Sequence, residues 1–161
     1  MANEPSFSSG AGAGSLAFQI QGFGSLEGAG TSCCTDGLVV MLDGVLLFAG
    51  TFNLGGGGTN IVFSNPNGGT FNASSPGFGL GGLLDVTIPL LLSAGPHALQ
   101  FAYFGTPQGT DDEGWGINSV TVSGIVAATP LPAAFPLFAS GLGALGLIGW
   151  RRKRKASARA A

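Results

Sequence analysis

The first 150 residues contain no Lys and no Arg; all six basic residues fall between Arg151 and Arg159. A body without these cations has nothing to neutralise phosphates, which excludes conventional DNA or RNA binding. Charge is scarce in general: only 9% of residues are Asp, Glu, Lys or Arg, against roughly 25% in an ordinary soluble domain. One His, one Tyr and two Cys leave few groups for acid–base or thiol chemistry. No G-x-S-x-G, P-loop or C-x-x-C is present, and His97 stands at a strand start without a Ser or Cys in a recognisable catalytic motif. The sequence is therefore read as that of a non-enzyme.

What is abundant is Gly, 30 of 161 residues, in a chain that is 45% hydrophobic. That apolar content excludes wholesale disorder, and the absence of a G-X-Y period excludes collagen. All eight acids precede Arg151, so residues 1–150 carry −8 while the whole chain carries −2.

Ala133 to Trp150 reads AAFPLFASGLGALGLIGW, without a charged residue. As a helix it would span roughly 27 Å, close to the ~30 Å hydrocarbon thickness of a bilayer. Its glycines and Pro136 suit a lipid-bound helix, where the backbone must bond to itself, better than a water-soluble one. Trp150 stands at the interface position, and Arg151, Arg152, Lys153, Arg154 and Lys155 follow as a topology anchor. The positive-inside rule keeps that cluster cytoplasmic and places the body on the other side of the membrane. Residues 125–132 form a linker and 151–161 a basic cytoplasmic tail.

Pro130-Leu131-Pro132, the apolar segment and the basic cluster together resemble the PEP-CTERM sorting signal of Gram-negative bacteria, with Leu131 where the name-giving Glu would stand. The resemblance implies export, retention by the helix at the cell membrane, and cleavage near the motif by an exosortase. It implies release or attachment at the cell surface or extracellular matrix, with extracellular polysaccharide a further partner. Physically, the two prolines disfavour helix and keep the segment extended. Export in this orientation calls for an N-terminal signal. Residues 1–15, MANEPSFSSGAGAGS, hold neither a basic nor an apolar stretch, so the signal is expected upstream of Met1. These residues read as a disordered N-terminal segment.

Residues 16–124 read as a mainly β domain, an antiparallel β-sandwich. Predicted strands are Leu16–Phe23, Gly37–Leu42, Val45–Phe52, Asn60–Phe63, Leu83–Leu92, His97–Phe104 and Trp115–Val122. Asp43-Gly44 between two apolar runs signals a two-residue hairpin. Gly55–Gly58 reads as a flexible loop. The stretches TDGLVVMLDGVLLFAGTF (35–52), AGPHALQFAYFG (94–105) and DDEGWGINSVTVSG (111–124) resemble jelly-roll-like sandwiches of exported proteins and carbohydrate-binding modules.

Three constellations stand out. Asp111, Asp112 and Glu113 offer hard oxygen ligands suited to Ca²⁺, or else form a solvated acidic loop; Asp36 and Asp43 join only if their loops converge. No other cofactor is implied. Cys33-Cys34 reads as a vicinal or intermolecular disulfide, or as two thiols. Phe101 and Tyr103 share one strand face and Phe104 the other, so with Trp115 they form either a sugar platform or part of the core. The leading expectation is an exported, non-enzymatic surface or matrix protein; the alternative is a carbohydrate- or Ca²⁺-dependent adhesion module.

Overall fold

The structure is a computed structural model that describes residues 5–105, 108, 109 and 112–124. Chain contacts divide the protein into units Met1–Ala127 and Ala128–Ala161, and only the first contains described residues. Pro130–Pro132, the apolar segment 133–150, the basic cluster 151–155 and Asp111 lie outside them.

Nine strands follow one another: β1 Ser6–Ser9, β2 Gly12–Gly24, β3 Gly37–Leu42, β4 Val45–Thr51, β5 Ile61–Ser64, β6 Thr70–Ser74, β7 Gly82–Leu92, β8 Gly95–Phe104 and β9 Glu113–Ser123. They form a five-stranded sheet, β1-β8-β3-β4-β5, and a four-stranded sheet, β6-β7-β2-β9. Every named pairing is antiparallel. The inward residues of both sheets make a single core, the arrangement of a β-sandwich. Phe18 of β2 meets Phe101 of β8 edge-on, with ring centroids 5.1 Å apart. Phe71 of β6 lies against Phe52 at the end of β4, at 5.5 Å. Among the described residues there is no helix long and apolar enough to cross a membrane.

Parity explains the register. On β7, Leu84, Val86, Ile88, Leu90 and Leu92 are buried while Asp85, Thr87, Pro89 and Leu91 are exposed. Leu84, Val86 and Ile88 stand opposite the equally buried Ile20, Phe18 and Leu16 of β2. A one-residue slip would turn one of these rows to solvent, so burial pins the pairing. On β9 the inward set changes parity, from Trp115 and Ile117 to Val122. The register shift opposite Gln19/Ile20 inserts one residue, Asn118, and lets both segments face the core. The Asp43-Gly44 hairpin forms as expected. Both residues have positive φ, 52° and 77°, as a type I′ turn demands.

Two strands were not legible in the sequence. The 1–15 segment, expected to be disordered, contains β1 and the start of β2. Ser6–Ser9 pairs with Gly95–Ala98, and β2 runs from Gly12, ahead of the expected Leu16. Ladder bonds join backbones, so small residues such as Gly and Ser enter a sheet without an apolar signal. β6, TFNAS, offers only Phe71 and Ala73 opposite the buried Val86 and Leu84, too short an alternation to register.

Candidate functional site: a buried carboxylate cluster

The segment after β2 turns sharply at Gly24 (φ 73°), where a Cβ would lie 2.1 Å from the Asp112 carbonyl oxygen. This close approach lets the Ser25 N–H donate to the Asp112 carbonyl at 2.8 Å, binding the β2–β3 loop to the acidic loop before β9. Gly55–Gly58 closes the other side. It is not the free loop its composition suggested: the Leu26 carbonyl accepts from Leu54 N and Gly56 N, and the Gly57 carbonyl from Gly28 N. Asn53 Oδ1 accepts from the Gly55 and Gly57 amides at 3.2 and 2.9 Å. A side chain at Gly56 would meet the Glu27 side chain at 2.7 Å and the Ser25 carbonyl at 2.2 Å. The glycine run is thus what allows Glu27 to sit where it does.

Glu27, Asp36 and Glu113 are each more than nine-tenths buried, at 6%, 5% and 8% exposure. One carboxylate oxygen from each lies within 4.8 Å of the others. Asp36 is well satisfied: its Oδ2 accepts from the Glu27 amide at 2.7 Å and its Oδ1 from the Tyr103 hydroxyl. Glu113 Oε2 accepts from the Gln108 amide at 2.6 Å. Glu27 Oε2 and Glu113 Oε1 are buried with no hydrogen-bond donor among the described residues. Only an added proton would let one of these carboxyls donate to its neighbour. Burial first, then the Asp36 and Glu113 carboxylates, push the Glu27 carboxyl up to about 7. The same burial, with Asp36, raises the Tyr103 phenol well above its usual range.

Of the acidic triplet 111–113, the two described residues part. β9 begins at Glu113, and Asp112 belongs to the turn before it. Glu113 enters the cluster, while the exposed Asp112 turns away to accept from Ser25 Oγ at 2.5 Å; Asp111 lies outside the described residues. Asp36 does converge on Glu113. Asp43 does not: its Oδ2 meets His97 Nδ1 at 2.7 Å and its Oδ1 accepts from the Ala98 amide at 2.8 Å. Glu27 was missed, because a single acid in an apolar Gly-rich loop carries no local pattern. Its one signal was its isolation between Leu26 and Gly28, where solvent-facing neighbours would be expected around a free carboxylate.

Cys33 and Cys34 are joined in a vicinal disulfide, with Cα atoms 3.7 Å apart. The sulfurs lie within 4.8 Å of a Glu27 carboxylate oxygen, and the Gln108 side-chain amide reaches Cys34 Sγ. Bonded to each other, they are not thiolate ligands. The aromatic group divides as its parity required. Phe101 is fully buried and Tyr103 is turned to Asp36, whereas Phe104 is 40% exposed and lies 6.1 Å from the ring of Phe63. Trp115 packs on the core. A cavity of about 30 Å³ lies between Asp36, Tyr103, Trp115 and the core residues Leu26, Leu38 and Leu54. That volume holds a water or two, far less than a sugar ring.

No protein-family model, curated protein or solved structure matches this chain.

Proposed function

We propose that this protein is an exported, non-enzymatic component of the cell surface or extracellular matrix. It is delivered as a β-sandwich by a C-terminal PEP-CTERM-type sorting segment and processed by an exosortase-type enzyme. The observation that carries the reading is the placement of charge. Eighteen residues without charge, 133–150, separate a body holding every acid from a tail holding every Lys and Arg. Lipid takes the apolar segment, and the cations resist transfer, which fixes the body outside the cytoplasm. The two prolines of the Pro130–Pro132 motif disfavour helix there, which suits a segment to be cleaved.

The sandwich supports the non-enzymatic part of the reading. The imidazole of His97 is engaged at both nitrogens, with Nδ1 at 2.7 Å from Asp43 Oδ2 and Nε2 at 3.1 Å from the Ser93 carbonyl. Neither nitrogen is left to act as a base. Repeated crossing between the two sheets, at β1–β2, β2–β3, β5–β6, β7–β8 and β8–β9, supports the jelly-roll-like reading of the body.

Mass spectrometry of the exported form tests the proposal. The expected species ends between Pro132 and Arg151, has lost the six basic residues and carries −8 in place of −2. Recovery outside the cell of chains that still end in the Arg/Lys tail would refute processing. A reporter fused behind Ala161 and found outside the cytoplasm would refute the topology.

A further inference from the structure

We propose that Glu27, Asp36 and Glu113 form a Ca²⁺ site that clamps the β2–β3 loop to the start of β9. Three carboxylates are gathered in the interior of a body that has no Lys or Arg to neutralise them. Its one imidazole is already committed to Asp43. Two of the buried oxygens, Glu27 Oε2 and Glu113 Oε1, lack any donor among the described residues. Buried polar atoms are almost always paired, and an unpaired buried carboxylate oxygen is among the most costly exceptions. A divalent cation removes both defects together: it supplies the missing partner to each orphaned oxygen and offsets the mutual repulsion.

The donor set selects the ion. All three ligands are hard oxygens, and the neighbouring sulfurs are held in a disulfide, which disfavours zinc and copper. Oxygens bound to one Ca²⁺ at about 2.4 Å lie at most about 4.8 Å apart. The three carboxylates already meet that span, within 4.8 Å of one another. Mg²⁺ demands a tighter octahedron and retains several waters, for which a buried cleft beside a cavity of about 30 Å³ has little room.

The site also has a supporting frame. The Tyr103 hydroxyl and the Glu27 amide orient Asp36, and the Gln108 amide orients Glu113, each leaving lone pairs toward the cluster. Asp112 is excluded because it bonds Ser25 and is solvent-exposed.

The test uses the full chain, held in mild detergent, stripped with chelator and titrated with CaCl₂ by calorimetry and thermal melting. Saturable binding of one ion per chain and a higher melting temperature are expected. Glu27→Gln and Glu113→Gln should each weaken binding by at least about tenfold, since affinity follows ligand charge. Without Ca²⁺ the Glu27→Gln chain should melt no lower than the parent, which separates lost binding from misfolding. Asp112→Asn should bind as the parent does. Terbium provides a second readout: its emission, excited through Tyr103 and Trp115, should appear on binding, be displaced by Ca²⁺ and vanish in Glu27→Gln. Absence of saturable Ca²⁺ binding overturns the assignment. So does binding lost in Asp112→Asn but kept in Glu27→Gln, which would return the ion to the exposed loop.

Discussion

Asp36 and Asp43 flank the same strand, one before β3 and one after it, and the two ends of that strand handle negative charge in opposite ways. At Asp43 the body uses its one imidazole. Both ring nitrogens of His97 face oxygen atoms, and the hydrogen bonds to Asp43 and to the Ser93 carbonyl favour the imidazolium, raising its pKa above the usual 6.5. The imidazole is buried, but its partner Asp43 is 45% exposed, and water shares the task of stabilising that carboxylate. Roughly 20 Å away along the strand, Asp36 meets Glu27 and Glu113 out of solvent and with no cation among the described residues. The difference shows that a carboxylate is not a site by virtue of its charge. What matters is whether the fold has also supplied a counter-charge, and the buried end is the one left short.

The largest effect should come from Asp36→Ala. It leaves the Glu27 amide and the Tyr103 hydroxyl without their acceptor in a dry environment, a loss of about 3 kcal/mol at 1–3 kcal/mol per orphaned group. Urea denaturation in the presence of chelator measures it, alongside Asp43→Ala, where water can enter the place of the exposed carboxylate and the loss should be clearly smaller. Equal losses would erase the contrast between the two ends. Tyr103→Phe should cost about 1 kcal/mol, because it removes one donor from Asp36 and leaves the ring packing intact. A null effect would mean that Asp36 is held by the Glu27 amide alone.

The Asp43–His97 pair should give the smallest effect, visible as pH dependence. The hydrogen bond to Asp43, with that to the Ser93 carbonyl, raises the His97 pKa above its usual 6.5. The His97 hydrogen bond, with that of Ala98, lowers the Asp43 pKa below its usual 3.8. The imidazolium's stabilisation is therefore complete below 6.5 and lost as pH rises through its raised pKa; the carboxylate's is complete above 3.8 and lost as pH falls through its lowered one. Melting temperatures of the parent minus His97→Gln should form a plateau between these values and decline on both sides. A difference that does not vary with pH would show that the ring contributes by packing on Phe7, 5.2 Å away, and not by charge.

Much of the sandwich is local chemistry. Gly37–Leu42 emerges with the bounds its apolar run gives it, and Asp43-Gly44 turns as a two-residue hairpin because few other pairs accept two positive φ values in succession. Alternation along β7 fixes which side chains enter the core. Where side chains carry no pattern, reading fails: β1 is held by backbone ladder bonds to β8 and has only Phe7 to mark it. Gly55–Gly58 looked free because glycine has no side chain to betray a contact, yet that same lack of a Cβ lets it close over Ser25 and Glu27.

The sequence by itself determined seven of the nine strands, the hairpin and the division of the chain into an acidic body and a basic tail. Each depends on residues adjacent in the chain or spaced by a short period. The tertiary structure alone decided that Glu27, Asp36 and Glu113 meet, that Asp112 departs from its neighbour, and that Asp43 finds the single imidazole. Those outcomes require loops distant in sequence to be brought together when the two sheets close on a shared core, and no local pattern encodes a meeting that only burial enforces.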